Sequence, residues 1–219
     1  MEPTNLIRQS TLKLHTEGAV IVVGCGGVGS WTAYSLALAG VQNLWLFDPD
    51  EVSESNLNRL PVPKTVVGMS KSRAIAQLIR EHRPDTFVRP LGTFSVSTAD
   101  ALQLSTKVRW IIVTTDTLKS RQMCAAWAKA NNVNYIEAAA EGETGSVTGA
   151  PAEWATPDEE SPGYASVPVW VGPCITAAAM AVAHVLHQTT LGDRTIRQGM
   201  GSVANTKRKI YTIYDSGVR

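Results

Sequence analysis

Residues 19–24, Ala-Val-Ile-Val-Val-Gly, form a continuous apolar, β-branched run, the pattern of a parallel strand covered on both faces. Good helix formers with apolar spacing occupy 28–39, and Gly40 is placed to close that helix. A second strand is predicted over Asn43–Phe47, ending at Asp48. Ser70 can cap a helix that runs to about His82 and is stopped by Pro84, and Phe87–Leu91 reads as a third strand. Val108–Val113 predicts a strand, 119–130 a helix and 133–136 another strand. This alternation predicts an α/β fold, a Rossmann-like open mixed sheet with crossover helices.

Between 150 and 165 the pattern stops. Three prolines and four acids stand there without periodicity, as in a surface loop. From Ser161 to Gly192 there is no Asp, Glu, Lys or Arg, which raises the question of a membrane span. Pro168, Gly172 and Pro173 interrupt it and leave an Ala-rich helix over 174–187, shorter than the ~20 residues a bilayer requires, so a buried core helix is expected. A last strand is predicted over 209–214. The whole chain, 1–219, reads as one domain: an N-terminal arm 1–18, a nucleotide-binding core 19–142, a crossover loop of about 143–165, and a buried helix with the final strand in 172–215.

Composition narrows the classes. A chain of 219 residues with 44% hydrophobic content supports one core of ordinary size. A net charge of +1 with 18% charged residues lacks the basic stripe of a nucleic-acid binder, and Lys207-Arg208-Lys209 is too short a run to supply one. Three widely spaced cysteines, Cys25, Cys124 and Cys174, suit a reducing compartment better than a disulfide framework. The opening Met1-Glu2-Pro3-Thr4-Asn5 has an acid and no apolar stretch, so no secretory signal and a cytoplasmic location are expected.

The chemistry begins at Gly24-Cys25-Gly26-Gly27-Val28-Gly29, a G-x-G-x-x-G turn between predicted strand and helix. Such glycines allow a tight turn and let backbone N–H groups meet a phosphate at the positive end of a helix. Asp48, at the end of the next strand, can accept hydrogen bonds from a ribose hydroxyl. These features alone suit NAD as readily as ATP, so an NAD-binding oxidoreductase or sensor stands as a rival. A second cluster follows, with Asp50, Asn56 and Arg59 in 48–59 and Lys71 opening the next helix. A dinucleotide site has no use for it. An adenylating enzyme does, because it must hold a triphosphate and neutralise the departing pyrophosphate. Arg59 offers a planar fork and Lys71 a point charge. Asp116, after Thr114-Thr115 at the end of a predicted strand, is a hard oxygen donor for Mg²⁺ shared with phosphates, or else a cap for the following helix.

The strings GCGGVGS, DPDEVSESNLNR, VGMSK and TTD followed by Arg121 together resemble the adenylation domain of ThiF/MoeB and ubiquitin-activating enzymes, over about residues 6–215. The resemblance implies a ribose contact by Asp48, phosphate contacts by Asn56, Arg59 and Lys71, and Mg²⁺ binding by Asp116, with Asp50 in the nucleotide-binding set beside Gly24, Gly26, Gly27 and Gly29. It implies ATP-dependent adenylation of the C-terminal carboxylate of a ubiquitin-like protein, sulfur-carrier protein or peptide. It further implies a homodimer in which the arginine of an Arg-Gln pair, here Arg8-Gln9, reaches the partner's ATP site. Activating enzymes of this kind can also contain a non-catalytic half, but Arg8, Arg59, Lys71 and Asp116 are all retained.

Two departures from that pattern matter. Many bacterial relatives carry two Cys-x-x-Cys pairs for a structural zinc, and this chain has none, so no zinc is expected. Thioester-forming relatives place a cysteine in the crossover loop, and 143–165 contains none. Cys174 begins a predicted helix whose positive end could activate a thiol, yet a packing role is the expectation for it as for Cys25 and Cys124. His184 and His187, three apart on the apolar helix, have no acidic or cysteine neighbours in sequence for metal binding, and Trp154 in the loop is a candidate substrate contact.

Overall fold

The structure, a computed structural model, describes residues 4–151, 168–192 and 194–199. Seven strands form one mixed sheet in the order β3-β2-β1-β4-β5-β6-β7. β1 (Ala19–Val23), β2 (Asn43–Phe47), β3 (Phe87–Leu91), β4 (Val108–Val113) and β5 (Asn134–Glu141) run parallel. β6 (Thr144–Thr148) and β7 (Thr195–Gly199) are antiparallel to their neighbours. Strand order reverses at β1/β4, and in open α/β sheets the crevice outside the strand ends at such a point is where ligands bind.

Alternation along β1 divides the interior. Val20 and Val22 face a core with α1 (Gly27–Leu38), α2 (Lys71–His82) and α5 (Val171–Leu186). Ala19, Ile21 and Val23 face a second core that includes residues of α3 (Val96–Ser105) and α4 (Leu118–Ala130). Both faces of β1 are fully covered, which is why its sequence is an unbroken apolar run.

Several expectations are corrected. β6 occupies the start of the stretch read as crossover loop from 143: its Thr-Gly-Ser-Val-Thr sequence lacks an apolar run, but Ser146, Val147 and Thr148 are buried by pairing with β5. α3 was not anticipated, because only Ala99 and Leu102 of its ten residues are buried; Ser95 caps it by accepting from the Thr98 N–H at 3.3 Å. β7, fully exposed, shows no pattern at all. β5 extends well past 136, and α5 begins at Val171 rather than 174. Gly172 and Pro173 do not break α5; they sit in its first turn, where a missing N–H costs no intrahelical bond. Ser70 stands at the α2 cap position without making the capping bond, since its hydroxyl pairs with that of Ser72 at 3.1 Å. The expected strand 209–214, the Lys207–Lys209 run and Trp154 lie outside the described residues. Among the described residues no helix is long and apolar enough to cross a membrane.

Candidate functional site

The turn after β1 is built by backbone geometry. Gly24 has φ +94°, a conformation that L side chains rarely adopt, and its N–H donates to the Phe47 carbonyl at 2.7 Å. The Thr114 hydroxyl donates to the Gly24 carbonyl at 3.0 Å, which joins the ends of β1 and β4. A methyl on Gly29 would clash with that same carbonyl, so a side chain there would push the helix off the strand. A methyl on Gly27 would meet Cys174 Sγ at 2.6 Å, because the start of α5 packs onto the turn. A methyl on Gly26 would meet no atom of the other described residues within 4 Å. The open side of the turn is therefore at Gly26, which also begins α1 without any side-chain cap on the first-turn N–H groups. Unsatisfied N–H groups at a helix start with open space before them are an anion site.

Asp48 is buried and fixes the floor of that site. Its Oδ2 accepts from the Cys25 N–H at 2.6 Å and its Oδ1 from the Asp50 N–H at 2.8 Å. Burial raises the carboxyl above the usual range, and the two N–H bonds with nearby Lys71 partly offset this. Chain pairing delivers Lys71: the Val52 N–H donates to the Met69 carbonyl and the Gly68 N–H to the Val52 carbonyl, both at 2.8 Å, and the Lys71 N–H donates to the Asp50 carbonyl at 2.9 Å. The intervening loop returns α2 to the strand end, with Val52, Leu60, Val66 and Ala74 as a small core beneath it. Lys71 Nζ then lies 2.7 Å from Asp50 Oδ2, a carboxylate whose side chain is 63% exposed and whose hold on the amine an incoming phosphate can replace.

Arg59 packs beside the start of α1, where its Cδ would lie 3.1 Å from a methyl on Gly27, and its carbonyl accepts from Trp31 Nε1 at 2.9 Å. Its Nη1 donates to the Ser55 carbonyl and to Asn58 Oδ1, both at 2.8 Å and both exposed. Asn56 is buried, with its Oδ1 accepting from the Ser53 N–H at 3.2 Å in a capping box. Its carbonyl thus serves the loop that holds Arg59. Asp116 lies past the end of β4, two residues after the Thr114 that bonds the Gly24 carbonyl, and is half-buried. The helix cap position belongs to Thr117, so Asp116 is not the cap. Mg²⁺ that rides on substrate phosphates takes one or two carboxylates and completes its shell with phosphate and water oxygens. Asp116 fits that requirement, and among the described residues no three His, Cys, Asp or Glu side chains form a closed cage.

Arg8 stands apart from this cluster. It lies exposed on a 3₁₀ helix, Thr4–Leu12, whose Gln9 Nε2 donates to the Ala39 carbonyl at 2.6 Å. That contact is at the C-terminal end of α1, and twelve residues of helix separate it from the glycine turn by about 18 Å, beyond the reach of an arginine side chain.

The cysteines are buried, and burial pushes Cys174 up to about 11 despite the Arg59 charge, and Cys124 up to about 12. His184 bonds Thr189 through Nδ1, at 2.9 Å to the carbonyl and 2.7 Å to the hydroxyl, and is pushed down by burial. Glu137, a buried acid on β5, escaped the sequence reading, and Thr114, read there only as part of the strand-end cluster, is the pin between β1 and β4. A single acid inside the apolar 136–140 stretch was the available signal, since a buried carboxylate needs a partner.

A family model described as the ThiF family matches residues 3–195. Over 132 residues the chain is 29% identical to the tRNA threonylcarbamoyladenosine dehydratase of Escherichia coli strain K12, covering 60% of this chain and 49% of that protein. Over 131 residues it is 31% identical to ubiquitin-like modifier-activating enzyme 5 of Drosophila mojavensis, covering 54% of this chain and 33% of that protein. The chain thus spans about half of the first relative and a third of the second. Among solved structures, the E. coli dehydratase TcdA in complex with AMP matches with a TM-score of 0.65 and 19% identity, covering 79% of this chain and 86% of that one. PaaA matches with a TM-score of 0.63 and 21% identity, covering 84% and 64%. These structures share the mixed-sheet fold.

Proposed function

Because this chain belongs to the ThiF family, we propose that it uses ATP to adenylate a carboxylate, giving an acyl-adenylate and pyrophosphate. The observation that carries the reading is the second phosphate-gripping cluster beside the glycine turn. Lys71 and Arg59 flank an open helix start on exposed, exchangeable partners, and a dinucleotide site would need neither. ATP would lie with its ribose toward Asp48 and its phosphates toward Gly26, Arg59 and Lys71. The acceptor carboxylate attacks the α-phosphorus, a carboxyl O–P bond forms, and the P–O bond to pyrophosphate breaks. No general base is needed, since a carboxylate is already ionised at neutral pH. Asp116 would hold Mg²⁺, which supplies neutralisation of charge on the leaving pyrophosphate.

Arg8 lies too far from its own glycine turn to serve it, so its contribution comes in a dimer, each arm completing the partner's site. The acceptor is the C-terminal carboxylate of a ubiquitin-like protein, sulfur-carrier protein or peptide. Similarity to the tRNA threonylcarbamoyladenosine dehydratase favours a second reading, in which the carboxylate is carried on tRNA. The reaction ends at the adenylate as far as this chain's sulfur is concerned, because Cys174 is buried and held as a thiol.

Exchange of pyrophosphate into ATP, measured with Mg²⁺ and either small proteins ending in Gly-Gly or bulk tRNA, tests the reading and separates the two acceptors. Exchange that requires one acceptor and fails when its carboxylate is amidated supports it. Tight NAD binding by calorimetry with indifference to ATP and Mg²⁺ would overturn it.

A further inference from the structure

Beneath the loop that carries Asp116 lies a buried ion pair that the adenylation scheme does not use. Arg121, on the first turns of α4, and Glu137, on β5, have side chains only 4% and 2% exposed, and Arg121 Nη1 lies 3.3 Å from Glu137 Oε1. Two further donors of the guanidinium reach the β4–α4 connection. Nε donates to the Thr115 carbonyl at 3.1 Å and Nη2 to the Asp116 carbonyl at 2.6 Å. Glu137 is pinned in turn: Tyr135 OH donates to its Oε2 at 3.2 Å, and β5 pairing sets Glu137 beside Val113, the last residue of β4.

A buried ion pair is weak evidence of stabilisation, because desolvation of both charges offsets their attraction. Its geometry is informative instead. Only a planar fork can bond two successive carbonyls and a carboxylate at once, so the pair specifies one conformation of residues 115–116. It engages both carbonyl oxygens with the guanidinium. We propose that Arg121 and Glu137 are positioning residues that fix the Asp116 loop for Mg²⁺, setting how strongly Mg²⁺ and ATP bind together. The proposal rests on the adenylation reading of the site, and it deepens that reading by extending the site to two buried residues that contact no substrate.

The test is calorimetric ATP titration with and without Mg²⁺, taking as readout the ratio of the two affinities. Wild type is expected to bind ATP more tightly with Mg²⁺, and Asp116→Ala to lose that gain. Arg121→Lys keeps the charge but cannot make all three contacts. It should reduce the Mg²⁺-dependent gain about tenfold, as loss of a group orienting a metal ligand commonly does, with Mg²⁺-free ATP affinity within about twofold of wild type. Glu137→Gln, which keeps the shape and loses the charge, should reduce the gain less. A wild-type protein indifferent to Mg²⁺ would overturn the adenylation reading and this proposal together. Wild type and Asp116→Ala behaving as expected, with a full Mg²⁺ gain in folded Arg121→Lys and Glu137→Gln, would overturn the positioning role alone. Failure of both conservative variants to fold would assign the pair to stability and overturn it equally.

Discussion

The two ends of the parallel sheet use the same residue types differently. At the C-terminal ends of the strands, Lys71 and Arg59 are held by an exposed carboxylate and by exposed loop oxygens. At the opposite end, Arg83 is buried with a side chain 4% exposed, and every contact is internal. Its Nη1 donates to the Ala37 and Leu38 carbonyls at 2.9 Å, closing the end of α1, while Nε and Nη2 grip Asp85 at 2.9 and 2.7 Å. A cation on partners that a ligand can replace is available for binding, whereas a cation sealed against helix carbonyls is part of the scaffold. Whether a ligand can displace the partners, more than residue type, separates the two roles, and Arg121, sealed at the upper end, falls with Arg83.

The largest effect that sharpens this contrast is on catalysis at the upper end. Lys71→Ala and Asp116→Ala should each lower acceptor-dependent ATP–pyrophosphate exchange by at least ~10²-fold, the usual consequence of removing one preorganised electrostatic group. Wild-type exchange in either variant would remove that residue from the site. Arg8 sits at the lower end and could break the contrast. Arg8→Ala and Asp116→Ala dimers, each nearly inactive, should regain activity in about a quarter of sites after random subunit exchange, because half of each mixed dimer is intact. Recovery no greater than the separate variants give, with exchange confirmed by mass spectrometry, rules out action across the dimer.

Within the turn itself, Gly26→Ala should leave the melting temperature near wild type, since the methyl would meet none of the other described residues within 4 Å, and weaken ATP binding about tenfold or more, the equivalent of one hydrogen bond to a charged group. Gly29→Ala should lower both, because its methyl meets the Gly24 carbonyl. Equal melting temperatures for the two would show that the close approach is not required. At the lower end, Arg83→Ala leaves two helix carbonyls without their donor and should cost about 1–3 kcal/mol in denaturant unfolding. Exchange per folded molecule should be unchanged, and a loss in folded protein would tie this arginine to function.

The smallest effect is in pH dependence, and it has opposite signs at the two ends. Arg83 holds the Asp85 carboxyl below its ordinary value, so Asp85 contributes stability that is present above the unfolded pKa and lost as pH falls through the folded one. Burial holds Asp48 above its ordinary value, so its contribution is present below the unfolded pKa and lost as pH rises through the folded one. Unfolding measured below about pH 4 for Asp85→Asn and above about pH 4 for Asp48→Asn should therefore deviate from wild type in opposite directions. Deviations of the same sign would contradict the environments described for these two acids.

Much of this architecture is written locally in the chain. β1 is covered on both faces and apolar throughout, β2 and β4 are apolar except at half-buried Asn43 and Arg109, and Asn43–Phe47, Phe87–Leu91 and Val108–Val113 fall where the pattern places them. The glycine turn, Asp48 and the return of the chain to Lys71 are likewise local, spanning one strand, one helix and one loop. What the pattern could not show depends on contacts between distant segments. β6 and β7 exist through pairing rather than burial of an apolar run, and α3 buries two side chains only. The docking of α5 onto Gly27 is invisible locally, since nothing in 171–174 names its partner. Arg8 reads as a site residue in sequence, yet the Gln9 bond to Ala39 sets it at the far end of α1. Glu137 gains a meaning only when strand pairing brings β5 beside β4 and Arg121 folds back from α4. Periodicity reports how one segment meets its immediate surroundings, and tertiary packing alone decides which distant groups share a low-dielectric space.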